Sequence, residues 1–134
     1  MQTTYHARLF ASDDDGETHF EDVPVDLERE LPIPPTESLP RSIPMKAESV
    51  FWIGGPEAWK GDKTHPAVTR MMLVTLKGEY QIQASDGETR KFPVGSVLLL
   101  DDVTGAGHST KILSAGGVLV LAVGLPSLSL PESR

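Results

Sequence analysis

The chain contains no cysteine among its 134 residues. A disulfide framework, a thiolate metal site and a cysteine nucleophile are therefore excluded. Its apolar runs are far shorter than the roughly 20 residues that cross a bilayer as a helix, and the N-terminal residues lack the pattern of a signal peptide. We therefore expect a soluble cytoplasmic protein of one domain that does not bind membranes.

Positive charge is also scarce, because 12 lysines and arginines stand against 19 aspartates and glutamates and leave a net charge of −7. The excess is local, since residues 13–30 contain nine carboxylates and one arginine. Such a field repels phosphate backbones, so nucleic acid is not an expected partner. A solvated surface is the simpler interpretation of this run, and a site for a cation or a cationic partner is the alternative.

No window of the sequence has the periodicity of a helix. Short apolar runs separated by turn signals predict strands instead. Residues 79–85 alternate polar and apolar side chains, and Asp86-Gly87 after them is a strong hairpin signal. The strands are expected at residues 49–53, 68–76, 79–85, 88–92, 96–100, 108–113 and 117–123. The predicted fold class is all-β, as a sandwich or a barrel.

The two halves of the chain differ in texture. Residues 1–45 are acidic and contain five prolines between Leu31 and Pro44. Because proline lacks an amide donor, this segment is predicted to be an extended arm packed on the outside of the domain rather than a central strand. Residues 46–125 are expected to form a barrel, and residues 126–134 a C-terminal tail.

Two short motifs carry a resemblance to a known family. The first ends at Gly78, and counting back places His65, Ala67 and Met71 where the family has two histidines and a glutamate. The second passes through a proline–glycine turn and an apolar strand and ends at His108. Together they resemble the signature of the cupin superfamily. The resemblance implies a cupin-like antiparallel β-barrel, the double-stranded β-helix or jelly roll.

The resemblance also raises the possibility of a bound divalent metal ion. In cupins the four motif side chains hold one divalent ion inside the barrel, but here alanine and methionine replace two of them. Two histidines alone rarely hold a divalent ion tightly. We therefore expect no metal and no other cofactor. The alternative is one divalent metal ion bound by His65, His108 and a carboxylate from Asp101 or Asp102, which lie in a longer loop than the family has.

The parity of the strands predicts what lines the pocket. Side chains of equal parity point to one face, so the strand that leads to Gly78 and the strand after His108 would each present alternate residues to the interior. The resulting pocket is mostly apolar and suits a hydrophobic or aromatic small molecule. The predicted substrate-binding residues are Thr69, Met71, Leu73, Thr110 and Trp59. The loop 54–66, which carries Trp59, is either a lid over the mouth of the barrel or an ordinary surface loop.

Two imidazoles are the predicted catalytic groups. Histidine titrates near neutral pH, so His65 and His108 can act as acid and base. Asp102 is the likeliest carboxylate to orient His108, as in a catalytic histidine–carboxylate pair. The alternative for each histidine is a structural side chain bonded to a backbone carbonyl, and for the aspartate a turn residue.

These features lead to one main hypothesis and two alternatives. The main hypothesis is a cofactor-independent enzyme of the isomerase, cyclase or lyase type, which moves protons on a small apolar or aromatic substrate of secondary metabolism. The first alternative is a metal-dependent cupin oxygenase or isomerase. The second is a cupin that binds a small ligand without turning it over.

The outer face of one strand indicates self-association. Met72, Val74 and Leu76 have the parity opposite to Met71 and Leu73, so this strand is apolar on both faces. Such a strand needs a second layer outside it. A two-fold symmetric interface is the commonest closed arrangement, so we expect a homodimer.

Overall fold

The computed structural model describes residues 4–126, which form twelve β-strands and no helix. The all-β prediction is therefore confirmed. The strands are β1 (Thr4–Ala11), β2 (Thr18–Val25), β3 (Arg29–Ile33), β4 (Thr36–Arg41), β5 (Ser49–Gly55), β6 (Gly61–His65), β7 (Met71–Lys77), β8 (Tyr80–Ala84), β9 (Thr89–Phe92), β10 (Val97–Asp101), β11 (His108–Ile112) and β12 (Val118–Gly124). Within residues 4–126 no helix is long and apolar enough to cross a membrane.

The strands form two main sheets and a separate hairpin. The larger sheet has six strands in the order β2-β1-β10-β7-β12-β5, and the smaller has four in the order β6-β11-β8-β9. β3 and β4 pair only with each other. The prediction of a purely antiparallel fold is wrong in one place, because β1 pairs with β10 in parallel.

The hydrophobic core lies between the two main sheets. Both contribute alternate side chains to it, which is the pattern of strands with one buried face. Leu9, Leu98 and Ala122 of the larger sheet and Ile82 and Ala84 of the smaller one are at most 2% exposed.

The prediction of an extended arm is wrong for residues 4–25, because β1 and β2 are strands of the larger sheet. The acidic composition of this segment did not indicate strands, because each strand contributes only a few inward apolar residues, such as Leu9 in β1 and Phe20 in β2. Arginines neutralise part of the charge at the surface: Arg8 lies 2.7 Å from Glu21. In the Arg8 guanidinium, burial favours the neutral form, but the hydrogen bonds that it donates to Glu21 and Asp101 outweigh burial and raise its pKa.

The proline-rich segment lies outside both main sheets. It forms the hairpin β3–β4, whose residues 29–40 are all exposed. Prolines occupy this hairpin because a strand with no further neighbour does not need every amide donor. Of the predicted tail, only Pro126 lies within the described residues.

One strand boundary matters for the site. The strand predicted from residue 68 begins at Met71, and residues 66–70 form a bend between β6 and β7. Within β7 the predicted parity is confirmed, since Met71 and Leu73 are buried and Leu76 is exposed. Because the bend separates the two strands, that parity does not extend back to His65.

Candidate functional site

The inner face of the smaller sheet presents an ordered column of side chains. β8 and β11 pair in regular antiparallel register, with Ile112 opposite Tyr80, Thr110 opposite Ile82 and His108 opposite Ala84. Directly opposite residues share a face, and Tyr80, Ile82 and Ala84 are all buried. His108 therefore occupies the interior level next to Thr110, as the motif spacing predicts.

A buried hydrogen bond joins His108 to Asp102. β10 ends at Asp101, and the next residue turns inward, where its Oδ2 lies 2.6 Å from His108 Nδ1. Asp102 is fully buried and His108 is 3% exposed. Against an ionised carboxylate, which only accepts hydrogen bonds, Nδ1 is the donor, and Nε2 is the ring nitrogen that Asp102 does not contact. The predicted pairing of Asp102 with His108 thus exists in the structure.

The neighbouring aspartate faces the other way. The Oδ2 atom of Asp101 accepts from Arg8 Nε at 2.9 Å, and its Oδ1 accepts from Arg70 Nε at 2.8 Å. Consecutive residues point to opposite faces of a strand, so only one of the two aspartates reaches the interior. Of the two carboxylates that the sequence leaves open, Asp102 is the one beside the histidine.

His65 lies beside His108 as its partner across β6 and β11, and its side chain is exposed. The centroids of the two rings are 5.2 Å apart, with their planes inclined by 49°. His65 Nδ1 donates to the carbonyl oxygen of Pro66 at 2.8 Å, so Nε2 is the ring nitrogen that Pro66 does not contact. The buried carboxylate, the buried imidazole and the exposed imidazole therefore lie in sequence toward the surface.

Gly107 allows the backbone at His65 to lie close to His108. Its φ is +80°, and a Cβ atom there would meet the backbone of His65 and Pro66. Only a glycine accommodates both the left-handed conformation and the close approach. The backbone of residues 65–66 thus rests directly on the residue that precedes His108.

The N-terminal strand β2 fixes this loop from the other side. The Thr18 hydroxyl donates to the carbonyl of Gly107 at 2.8 Å and accepts from the amide of Ser85 at 2.6 Å. The amide of Ala106 donates to the carbonyl of Gly16 at 2.9 Å. Thr18 is fully buried, so the bond from its hydroxyl to Gly107 forms away from water. Sequence reasoning missed this support because it assigned residues 1–45 to an outer arm.

An apolar cavity of about 240 Å³ lies between the sheets. Its lining is mostly aliphatic and comes from both sheets, for example Leu73, Leu100 and Ile82. Trp59 lies at one wall, where its ring packs so closely on Gly61 that a Cβ atom there would collide with it. Trp59 itself is 46% exposed, which places it between the cavity and solvent.

The predicted substrate-binding residues divide into two groups. Leu73, Thr110 and Trp59 line the cavity. Met71 is buried in the core between the sheets but is not part of the cavity wall. Thr69 is not part of the cavity wall, because the bend between β6 and β7 leaves its side chain exposed.

Tyr80 is a cavity residue with a polar group. It is 3% exposed, it lines the cavity, and its hydroxyl forms no hydrogen bond within residues 4–126. Burial raises the pKa of this phenol above its usual range, and the nearby Thr75 hydroxyl offsets the effect only in part. The phenol therefore stays protonated at neutral pH and can donate a hydrogen bond to an acceptor atom.

A second buried polar atom also lacks a partner. Asp102 Oδ1 forms no hydrogen bond within the described residues, although the carboxylate is fully buried. An unsatisfied buried acceptor is costly and is rare except at functional sites or where a water or ligand binds. The sequence does not indicate that this oxygen lacks a partner, because the packing of distant strands around the loop determines it.

The donor set does not fit the metal site of a cupin. Among residues 4–126 no three histidine, aspartate or glutamate side chains converge as ion ligands. Asp102 lies on the Nδ1 side of His108 and thus away from the free Nε2. His65 and His108 are therefore the two candidate ligands, fewer than a tight divalent site requires.

No known family model and no curated protein sequence matches this chain.

Proposed function

We propose that this protein is a cofactor-independent enzyme that transfers protons on a small apolar or aromatic substrate held between its two sheets. The proposed reaction class is isomerisation, cyclisation or elimination. The observation that carries the proposal is the buried Asp102–His108 pair, which lies one residue pair beyond Thr110 of the cavity wall, with the centroid of the exposed His65 ring 5.2 Å from that of His108.

The proposed fold is a cupin-type jelly roll. Two facing sheets with alternating inward side chains support it, and so does the meeting of the two sequence motifs. The amide of Ala67, in the first motif, donates to the carbonyl of Asp102, which follows the second motif's strand, at 3.0 Å. His65 and His108, the two remaining histidines of the motifs, pair across β6 and β11.

The roles of the two histidines follow from their surroundings. Asp102 holds the Nδ1 proton of His108 in place and stabilises the imidazolium that forms when Nε2 takes a proton from the substrate. His65, whose own Nε2 is free and whose ring is exposed, exchanges that proton with solvent or returns one to another atom of the substrate. No electrons are transferred, so the reaction requires no redox cofactor.

The cavity defines the class of substrate. Its volume is close to that of an apolar cavity that takes one aromatic ring, which is roughly 150 Å³ in an engineered example. The Tyr80 hydroxyl and the Thr110 hydroxyl are polar groups on an otherwise apolar wall. We infer a compact ring compound with one or two oxygen atoms, such as an aryl ketone or a phenol with an acidic C–H bond.

Hydrogen exchange tests this proposal without knowledge of the natural substrate. The protein is incubated in D₂O with a panel of compact aryl ketones, and the replacement of the acidic C–H by C–D is followed by proton NMR. We expect exchange above the buffer rate for at least one member of the panel. His108→Asn, which keeps an N–H donor for Asp102 but has no Nε2 base, should lower that rate by about 100- to 10,000-fold.

The chain supplies a matched control for this variant. His19 also pairs with an aspartate, at 3.0 Å from Asp86, but on the surface. His19→Asn should leave the exchange rate unchanged. Equal rates for wild type and His108→Asn would refute the proposed role of the pair.

Ligand binding without turnover is the second candidate, and the cavity favours it. His108 lies one level beyond Thr110 and is not itself part of the cavity wall. A protein that only binds would show saturable chemical-shift changes at Trp59 and Leu73 with the same ketones and no exchange above buffer. That pair of results would replace the enzyme proposal with a binding function.

A further inference from the structure

The four edge strands of the two main sheets differ in one respect. Three carry charged side chains, which discourage pairing with another chain. They are β2 with Glu21 and Asp22, β6 with Asp62 and Lys63, and β9 with Arg90 and Lys91. β5, with the sequence SVFWIGG, has neither a charge nor a proline. It is the edge that lacks the usual protection.

β5 is also exposed on both faces. Val50 and Trp52 are 64% and 65% exposed, and Phe51 and Ile53 are each 37% exposed. Within residues 4–126 the strand pairs only with β12, so the hydrogen-bonding groups along its other side face outward. Four consecutive large apolar side chains on a free edge are a template for the addition of another strand.

The charge of the molecule favours a second copy as the partner at this edge. β2, which belongs to the acidic region, is the opposite edge of the same sheet, with four strands between it and β5. At about 4.8 Å per strand the two edges are roughly 24 Å apart, more than twice the screening length at physiological salt. Two copies joined through β5 therefore keep their acidic edges far apart.

The edge offers apolar side chains as well as free backbone groups. Together with Trp59, which is 46% exposed and shares the cavity wall with β5, the four apolar residues of β5 present on the order of 500 Å² per copy. Edge-to-edge pairing covers the part of this area that meets the partner strand and leaves the two faces of the sheet open. The backbone hydrogen bonds of the paired strands therefore contribute alongside the side chains.

We propose that two copies of this chain pair antiparallel through β5, so that their six-stranded sheets join into one continuous sheet. A two-fold axis through Phe51 places Val50 of one copy opposite Trp52 of the partner copy, so apolar side chains meet apolar side chains. The interface is isologous and closed, which limits the assembly to a dimer. Strand pairing also satisfies the outward backbone groups of the edge.

Sedimentation equilibrium tests the proposal with two matched variants. Val50 and Val94 are both 64% exposed, but only Val50 belongs to β5. Wild type and Val94→Lys should be dimers. Val50→Lys should raise the dissociation constant at least about tenfold, because it brings like charges together at the interface. A monomeric wild type would overturn the proposal, and so would equal dissociation constants for all three proteins.

Disulfide cross-linking tests the register of the paired strands. Because the chain has no native cysteine, each disulfide can form only at the introduced residue. Single cysteines are introduced at positions 50, 51 and 52, with Val94→Cys as the control, and the proteins are oxidised mildly. A residue on the two-fold axis faces its own copy at a distance that a disulfide can span, so a cross-linked dimer is expected from Phe51→Cys, whereas positions 50 and 52 face each other rather than their own copies. A dimeric protein that cross-links at none of the three positions would place the interface elsewhere, for example at the exposed hairpin β3–β4, and would overturn the proposal.

Discussion

The chain contains the same pair of side chains in two environments. His108 and Asp102 meet at 2.6 Å with side chains at most 4% exposed, whereas His19 and Asp86 meet at 3.0 Å with side chains 38% and 27% exposed. In the interior the bond is shielded from water and the loss of either partner leaves an unsatisfied group. At the surface, solvent and salt screen the pair. Identical chemistry therefore has different consequences, and burial decides which.

Tyrosine and glycine show the same contrast. Tyr80 is buried in the core, and Tyr5 is 61% exposed. Gly107 and Gly87 both have positive φ, but an added Cβ would strike the His65 backbone at the first and open space at the second. Each pair gives a variant and its control within one molecule.

The largest expected effect is on stability, and it comes from the two histidines. His108→Ala leaves the Asp102 carboxylate buried without a partner and should lower the free energy of unfolding by about 3–5 kcal/mol. His19→Ala should change it by less than about 1 kcal/mol. Urea unfolding followed by tryptophan fluorescence measures both. Similar values for the two variants would mean that the interior pair is solvated.

This expectation also determines which variant can test function. A histidine that only supports the fold would show its loss as instability, and the alanine variant mixes that effect with any loss of activity. His108→Asn keeps the hydrogen bond to Asp102 and should recover most of the stability that His108→Ala loses. An asparagine variant that is stable and still accelerates exchange as wild type does would make His108 structural.

The next effect concerns the two glycines. Gly87→Ala should cost about 1 kcal/mol of unfolding free energy, since alanine disfavours positive φ. Gly107→Ala carries the same cost and must also displace the backbone of His65, so we expect a further 1–3 kcal/mol. The difference between the two variants measures how tightly residues 65–66 rest on the loop. Equal losses would show that His65 moves aside without cost.

A smaller effect is expected at alkaline pH. Burial raises the pKa of Tyr80, so the unfolded chain ionises first, as the pH passes about 10. The stability that the protonated phenol contributes is fully present below pH 10 and is lost as the pH rises from there toward the folded pKa. In Tyr5→Phe, where Tyr80 is the remaining tyrosine, absorbance at the phenolate band should rise only as the protein unfolds. Tyr80→Phe should lessen the alkaline loss of stability.

The smallest effect is expected from chelation. The donor set offers His65 and His108 without a third ligand among the described residues, so the protein as purified should carry substoichiometric metal. Exchange activity should be the same before and after dialysis against a chelator. Full occupancy by a divalent metal, with activity lost on stripping and restored by its return, would favour the metal-dependent alternative.

The sequence alone determined the local features of this protein. Alternation in residues 79–85, the Asp86-Gly87 hairpin and the lack of helical periodicity are short-range signals, and they predicted β8, β9 and the all-β class correctly. The spacing that ends at His108 was also sufficient to place this residue on an inward face of β11, because parity holds within an unbroken strand. Asp102 was preferred over Asp101 as the carboxylate beside His108, but no local pattern in the sequence separates the two.

Tertiary structure decided what depends on distant contacts. The parity of β7 could not locate His65 or Thr69, because the bend at residues 66–70 resets the direction of the side chains. The acidic segment 4–25 became two strands of the main sheet, since Leu9 and Phe20 find a core that a local pattern does not show. Three other features arise from strands that are far apart in the chain. They are the contact between the rings of His65 and His108, the hydrogen bond from Thr18 to the loop at Gly107, and the free edge at β5. Pairing between such strands is set by how the sheets close over the core, and no short window of sequence contains that information.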